Sequence, residues 1–314
     1  MSDQGGEDHV AVAPWFADRE VPVLVYRINR RPRPQGKLFA VQPDNFMDHL
    51  VECLRVGDET VTKGHGHERH WMIGNRHISS NLDSFSGRIG FRSPDVEVSE
   101  SYDSASGDWL TNVVETERTV TAPFAVAAGT RFLAVAKHKS FSESVLPKVF
   151  EQVLRAGEEA REYPTTDWAV EPVLDEHDFE RWLRGTAVLQ SIRFEVKLPN
   201  PDAEESFLQL HKHLDSAGAG EMTHSLKPRD PEAGLNKDFE QEPISQGLMA
   251  MARKSFAQLR AKGTGKTGST REYSQTRRVR RVRLDLSGNH VTAQAIITEF
   301  AVNAPPEPEA PDGN

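Results

Sequence analysis

Residues 246–283 read QGLMAMARKSFAQLRAKGTGKTGSTREYSQTRRVRRVR. Ile244, Leu248, Met251, Ala252, Phe256 and Leu259 follow the three-and-four spacing of one helical stripe, which predicts an amphipathic helix running through Leu259. At about 100° per residue, Arg253 and Arg260 fall on the opposite face and Lys254 on a flank. Gly263, Gly265 and Gly268 then predict a loop. From Arg271 to Leu286 the pattern reads as a strand. Arg278, Arg280, Val282, Leu284 and Leu286 share one face, and Arg277, Val279, Arg281 and Arg283 share the other. Guanidinium groups on both faces of a core strand are costly without partners. The arginine end is therefore expected to project past its sheet, anchored by Leu284 and Leu286.

Charge makes the same stretch conspicuous. The chain carries 38 Lys/Arg and 47 Asp/Glu, a net −9. Between Met251 and Arg283 there are eleven Lys/Arg and one Asp/Glu, which leaves a balance of −19 for everything else. An acidic chain that concentrates its cations in a tenth of its length points to an anionic partner. GTGKTGST imitates a phosphate-binding P-loop, but that motif needs glycine at position 260, where Arg stands, and the order strand, loop, helix. The order here is the reverse, so Lys262, Lys266 and Arg271 are read as phosphate-contacting cations on a permissive loop.

Outward from this stretch, VPVLVYRIN is apolar on both faces and predicts an internal strand. RINRRPRPQGK follows, with Arg27, Arg30, Arg31, Arg33 and Lys37 and no acid. Pro32 and Pro34 predict an extended basic arm along phosphates. KLFAVQ is expected to be a short strand. A helix is expected from an Asp44 cap through Val56. It holds the single cysteine, Cys53, as a small core residue with no second thiol for a disulfide or zinc site. His65, His67, His70 and His77 lie near a Gly64/Gly66 turn without a completing set of carboxylates, so no metal is expected there. SGRIGFR, WLTNVVETERTV, PFAVAAG and TRFLAVAKH predict strands, the last two turning at Ala128 and Gly129. A helix with Pro147 in its first turn buries Leu146, Val149, Phe150, Val153 and Leu154.

PTTDWAVEPV is expected to link two halves, and Asp178–Arg184 to be helical. Ile192, Phe194, Val196 and Leu198 alternate with Arg193, Glu195 and Lys197, a strand with one buried and one wet face. HVTAQAIITEFAV is expected to be a last strand, paired with the arginine strand across SGN. The fold class is α+β: two mostly antiparallel sheet halves, 20–165 and 166–303, with helices packed on them, between acidic tails at 1–19 and 304–314 expected to be disordered.

APFAVAAGTRFLAVAKHKSFSESVLPKVFEQVL, LRGTAVLQSIRFEVKLP and GEMTHSLKPRD together resemble the RexA-like phage-exclusion family, the DNA-binding sensors of prophage defence pairs. The likeness covers residues 120–235 and lies in element order. It implies sequence-tolerant DNA binding, a homodimer and an effector protein partner in a membrane. The longer N-terminal half and the concentrated arginines depart from it.

Catalytic constellations are missing: there is no G-x-S-x-G elbow, no H-E-x-x-H and no convincing Cys-His pair. Glu195 and Lys197 on one strand face leave a metal-dependent nuclease as an alternative. RNA binding, or a subunit docking an acidic protein through its basic strand, are the others. The sequence leads us to expect a cytoplasmic nucleic-acid-binding protein, duplex DNA favoured over RNA, with no cofactor and no catalytic residue. Its contacts are expected from Arg27, Arg30, Arg31, Arg33 and Lys37 on the arm. Arg253, Arg260, Lys262, Lys266 and Arg271 would supply the middle, and Arg277, Arg278, Arg280, Arg281 and Arg283 the strand. Tyr273 is the only aromatic residue placed to stack on a base.

Overall fold

A computed structural model describes residues 20–303 apart from 33–44, 57–59, 65–66, 107, 162–165, 198–215, 254, 278 and 288–289. Among the described residues twelve strands fall into two antiparallel sheets, and five α-helices pack on them, which makes the protein α+β.

The first sheet is organised around β1 (Glu20–Pro32). Val21, Val23, Leu24, Val25, Tyr26 and Ile28 are buried on both of its faces, as the unbroken apolar run requires. One edge of β1 pairs with β6 (Phe132–Ala136). The other edge is divided between β12 (Arg280–Asp285), opposite Glu20–Val25, and β7 (Thr166–Pro172), opposite Tyr26–Pro32. Beyond β6 the sheet continues through β5 (Asp108–Ala127), β4 (Ser84–Asp103), β3 (His67–Ile78) and β2 (Thr60–Gly64). Helices α1 (Phe46–Val56) and α2 (Leu146–Glu159) cover one face, where Phe150 meets Phe124 edge-on at 5.1 Å. Asn45, rather than the expected Asp44, supplies an observed cap on α1: its Oδ1 accepts from Met47 N at 2.8 Å. Asp44 and the KLFAVQ segment lie outside the described residues.

The opposite face is covered by α5 (His290–Asn303), in the segment expected to be a strand. Its β-branched residues suggested extension, but Ala293, Ile297 and Ala301 are buried at a spacing of four. The sheet beneath is lined by Ala125, Ala127, Ala134 and Ala136, all buried, so a helix can approach closely.

The second sheet runs β11 (Thr270–Ser274), β10 (Ala257–Gly265), β8 (Thr186–Lys197), β9 (Glu221–Leu226). Phe194, Ile192, Leu259 and Tyr273 pack on its inner face with Phe179 and Trp182 of α3 (Glu176–Arg184) and with Leu248, Met251 and Ala252 of α4 (Pro243–Arg253). Each such side chain taken fully from water stabilises by about 1.5–3 kcal/mol. The expected helix through Leu259 therefore stops at Arg253. Ser255 takes a positive φ of 58°, and the chain leaves as a strand in which Ala257, Leu259, Ala261 and Gly263 alternate inward. Leu259 stands opposite Phe194, and that partner decides between two periods the apolar residues fit equally well.

The expected glycine loop is also corrected. Gly263 lies inside β10, where a Cβ would sit 2.6 Å from the Val188 carbonyl oxygen. Only residues 266–269 turn, with Gly268 at φ +79°. Lys266 thus sits in a β-hairpin turn, which is not P-loop geometry. The expected arginine strand is broken by a 3-10 turn, Gln275–Arg277, where the chain crosses from the second sheet back to the first. Gln275 is buried there. It accepts from Leu259 N at 2.9 Å and donates to the Ala252 carbonyl at 3.0 Å.

Candidate functional site

β7 joins the two sheets. Asn29 Nδ2 donates to Glu171 at 3.0 Å, Ser255 Oγ donates to the Pro172 carbonyl at 3.1 Å, and Gln258 Nε2 donates to Glu171 at 3.2 Å. Between the sheets lies a cleft of about 290 Å³, lined among others by Tyr26, Glu143, Lys148, Glu151, Gln258 and Thr276. Thr276 also lines a second hollow of about 570 Å³ along Arg260, Lys262 and Ser274. Gln258, Arg260 and Lys262 share one face of β10, so the wet face of the second sheet leads into the cleft.

The cations at the two ends are held differently. On the sheet face, Arg193 stands opposite Arg260, a like-charge pair that both contact Glu195 at 3.2 Å. Lys262 is 3.6 Å from Glu272. Engagement by two arginines leaves Glu195 a structural anion and argues against the nuclease role considered for it. At the other end, the β6–α2 connection gathers cations from four elements. Lys137 and Arg281 both hold Glu143, at 2.6 and 2.9 Å. Arg283, on the same face of β12, is 3.6 Å from Glu20. Arg118 donates to Ser140 Oγ at 2.9 Å and Arg69 to its carbonyl at 3.4 Å, and the adjacent Lys139 is exposed. Among the described residues these six cations make ion pairs with two carboxylates, Glu143 and Glu20. Burial lowers the His138 pKa, and the positive field of Lys139 and Arg118 lowers it further. Burial pushes the Glu143 carboxyl up, but the hydrogen bonds from Lys137 and Arg281 outweigh it and hold it below its ordinary range.

The sequence-predicted cations separate into three groups. Arg260, Lys262 and Lys266 are exposed, and so are Arg281 and Arg283, but the arginine end does not project past its sheet: these two lie within β12, opposite Leu24 and Pro22 of β1, where their side chains reach water from one face. Arg27, Arg30 and Arg31 are not on an arm: they lie within β1. Arg27 sits over the Phe256 ring at 4.4 Å, Arg30 is 1% exposed and 5.6 Å from the Phe46 ring, and Arg31 meets Glu171 at 2.7 Å. Their charges are met by rings and by a carboxylate far along the chain, which local composition could not reveal. Arg271 and Arg280 are half-buried, the first over Trp182 at 5.8 Å and the second opposite Val25. Arg253 is half-buried at the end of α4. Arg33, Lys37 and Arg278 lie outside the described residues, and of Arg277 only the backbone is described. Tyr273 is buried in the second core and offers no stacking platform. Sequence reasoning missed Arg69, Arg118, Lys137 and Lys139, whose only local signal is the KHK run at 137–139.

A second polar group lies in the first core. His49 Nε2 and Glu158 Oε2 are 2.6 Å apart and fully buried. The Cys53 Sγ donates toward the same oxygen at 3.5 Å, and Thr166 N donates to Glu158 Oε1 at 3.0 Å. Burial, reinforced by Glu158, pushes the Cys53 thiol up to about 12, so it stays protonated. These three side chains could hold a metal only by opening the His49–Glu158 hydrogen bond. Of the expected histidine turn, His65 lies outside the described residues. His70 is 4.0 Å from Glu68, and His77 lies in a separate groove beside α5.

Fold and site define a two-sheet α+β protein with an open cleft and a surface rich in cations at the end of β6. The chain belongs to the family described as Domain of unknown function (DUF4747), which matches residues 59–301. No curated protein matches it. Among the described residues no helix is long and apolar enough to cross a membrane.

Proposed function

We propose that this protein binds nucleic acid, duplex DNA in the first instance, through its phosphates. The observation that carries the reading is the cation cluster around Ser140: Arg69 and Arg118 bond to Ser140, Lys139 is exposed beside it, and among the described residues Lys137 and Arg281 share Glu143 while Arg283 meets Glu20. The cleft leading to Arg260 and Lys262 offers a continuation of that track. Burial of Tyr273 argues against stacking of single strands and favours a duplex. Contacts to phosphates position a duplex without reading bases, so binding is sequence-tolerant. The resemblance to the RexA-like family favours DNA over RNA, and a sensor role in a phage-defence pair is proposed on that resemblance alone.

Fluorescence anisotropy titrations with duplex DNA, single-stranded DNA and duplex RNA of equal length, at several salt concentrations, test the proposal. Five or so phosphate contacts give a slope of log K against log salt of about −4 to −5. Absence of duplex binding at about 50 mM salt, or a slope near zero, refutes it.

A further inference from the structure

β4 and β5 remain paired without a break from Ser84 opposite Ala127 to Asp103 opposite Asp108. The pairing with β3 reaches no farther along β4 than Arg92, and that with β6 no farther along β5 than Phe124, so among the described residues the outer eleven pairs form a two-stranded ribbon with no neighbouring strand. The ribbon is unusual in composition. Val98 faces Val113 and Tyr102 faces Trp109 across it, and Val96 lies on the same face; the five are 55–69% exposed. The Tyr102 and Trp109 rings are 5.3 Å apart. Between Pro94 and Glu117 the sequence has seven Asp/Glu and no Lys or Arg. An acidic ribbon is repelled by phosphates, so it is not an arm for DNA. A contiguous apolar stripe of this size in water marks a docking surface.

The same face of β4 carries Ser86, whose Oγ accepts from Gln294 of α5 at 3.0 Å. Beside it lies a groove of about 710 Å³ between α5 and β3, walled by Ala295, Val291 and Val302 with Arg76 and His77 on one side and Glu299 on the other. Val302 and Val291 are exposed there. The chain thus shows an apolar stripe and an apolar groove on one face of one sheet. The stripe cannot fill its own groove: ten to twelve extended residues separate Ser86 from Val96 and Val98, about 33–40 Å of continuous strand.

We propose that the β4–β5 ribbon is an exchange arm that docks its Val96–Trp109 face into the α5–β3 groove of a second copy of this chain. A two-fold axis satisfies both stripes and both grooves at once, closing the assembly as a dimer. At roughly 150–250 Å² each, the four aromatic side chains of two such contacts bury about 600–1,000 Å², and the valines beside them and the groove walls they cover bring the total toward the roughly 1,600 Å² of a stable interface. Packing the ribbons on one another instead would set acid against acid, whereas the groove offers Arg76 and His77.

Sedimentation equilibrium of the full chain tests this. The wild-type chain is expected to be a dimer. Val98→Asp/Trp109→Asp in the ribbon and Ala295→Asp/Val302→Asp in the groove are each expected to give monomers with native circular dichroism. Mixed in equal amounts, the two variants keep one intact arm and groove and are expected to dimerise again, more weakly. A monomeric wild-type chain overturns the proposal, as does a groove variant that remains dimeric while the ribbon variant dissociates, the signature of ribbon-on-ribbon packing. Should the aspartates unfold the chain, Trp109→Ala alone must weaken dimerisation at least about tenfold, and an unchanged dissociation constant overturns the assignment.

Discussion

Replacing Lys139, Arg281 and Arg283 by Ala removes half of the cation cluster around Ser140 while touching little of the core. Arg281 gives up its contact with Glu143, but Lys137 still holds that carboxylate at 2.6 Å. Arg283 gives up an exposed contact with Glu20 at 3.6 Å. Exposed ion pairs contribute about 0–1 kcal/mol, so the triple variant should melt close to the wild-type protein. Binding should respond much more strongly. Each lost phosphate contact flattens the salt slope by about 0.9, so three lost contacts flatten it by about 2.7. Relative to about 1 M salt, where this contribution vanishes, that amounts to roughly 150-fold weaker binding near 0.15 M, about 3 kcal/mol. Anisotropy titrations of both proteins across the salt range read the two slopes directly. A folded triple variant with an unchanged slope would falsify the reasoning, because phosphates would then lie elsewhere.

Arg30→Ala should lower stability in urea denaturation by about 2–4 kcal/mol, since it empties a site with 1% exposure beside Phe46, while DNA affinity per folded molecule stays constant. The basic-arm reading demands the reverse. Gly157→Ala should cost more than about 3 kcal/mol, because its Cβ would stand 2.1 Å from the Cys53 carbonyl oxygen where α1 and α2 cross; thermal melts that match wild type would show that the helices separate freely. Glu151→Gln probes pH. Burial raises the Glu151 carboxyl in the folded protein, so the fold holds that proton more tightly than the unfolded chain and loses stability as pH rises past about 4.3. The glutamine variant should therefore gain on wild type at neutral pH and match it below about pH 4, with melting temperatures across that range as the readout.

Much of this architecture is written in local pattern. The two-sided apolar run of Val21–Ile28 can only be an inner strand, and the alternation of Ile192, Phe194 and Val196 with charged neighbours fixes a half-wet one. The stripe Leu146–Leu154 specifies α2, and the concentration of cations after Met251 is a matter of counting. Tertiary structure decided the rest, for two physical reasons. Short amphipathic stretches fit both a 3.6-residue and a 2-residue period. Phe194 across the sheet makes 257–265 a strand, and a floor of alanines lets 290–303 pack as a helix. Charge, likewise, says nothing of its own neutralisation. Arg30 and Arg31 look free in the sequence and are spent on Phe46 and Glu171, whereas Arg69 and Arg118 look unremarkable and converge on Ser140. A cation reaches a ligand only where the fold leaves it water-facing and outnumbers the nearby carboxylates, and both conditions depend on partners that tertiary structure brings in, as far along the chain as Glu171 is from Arg31 and Glu143 from Arg281.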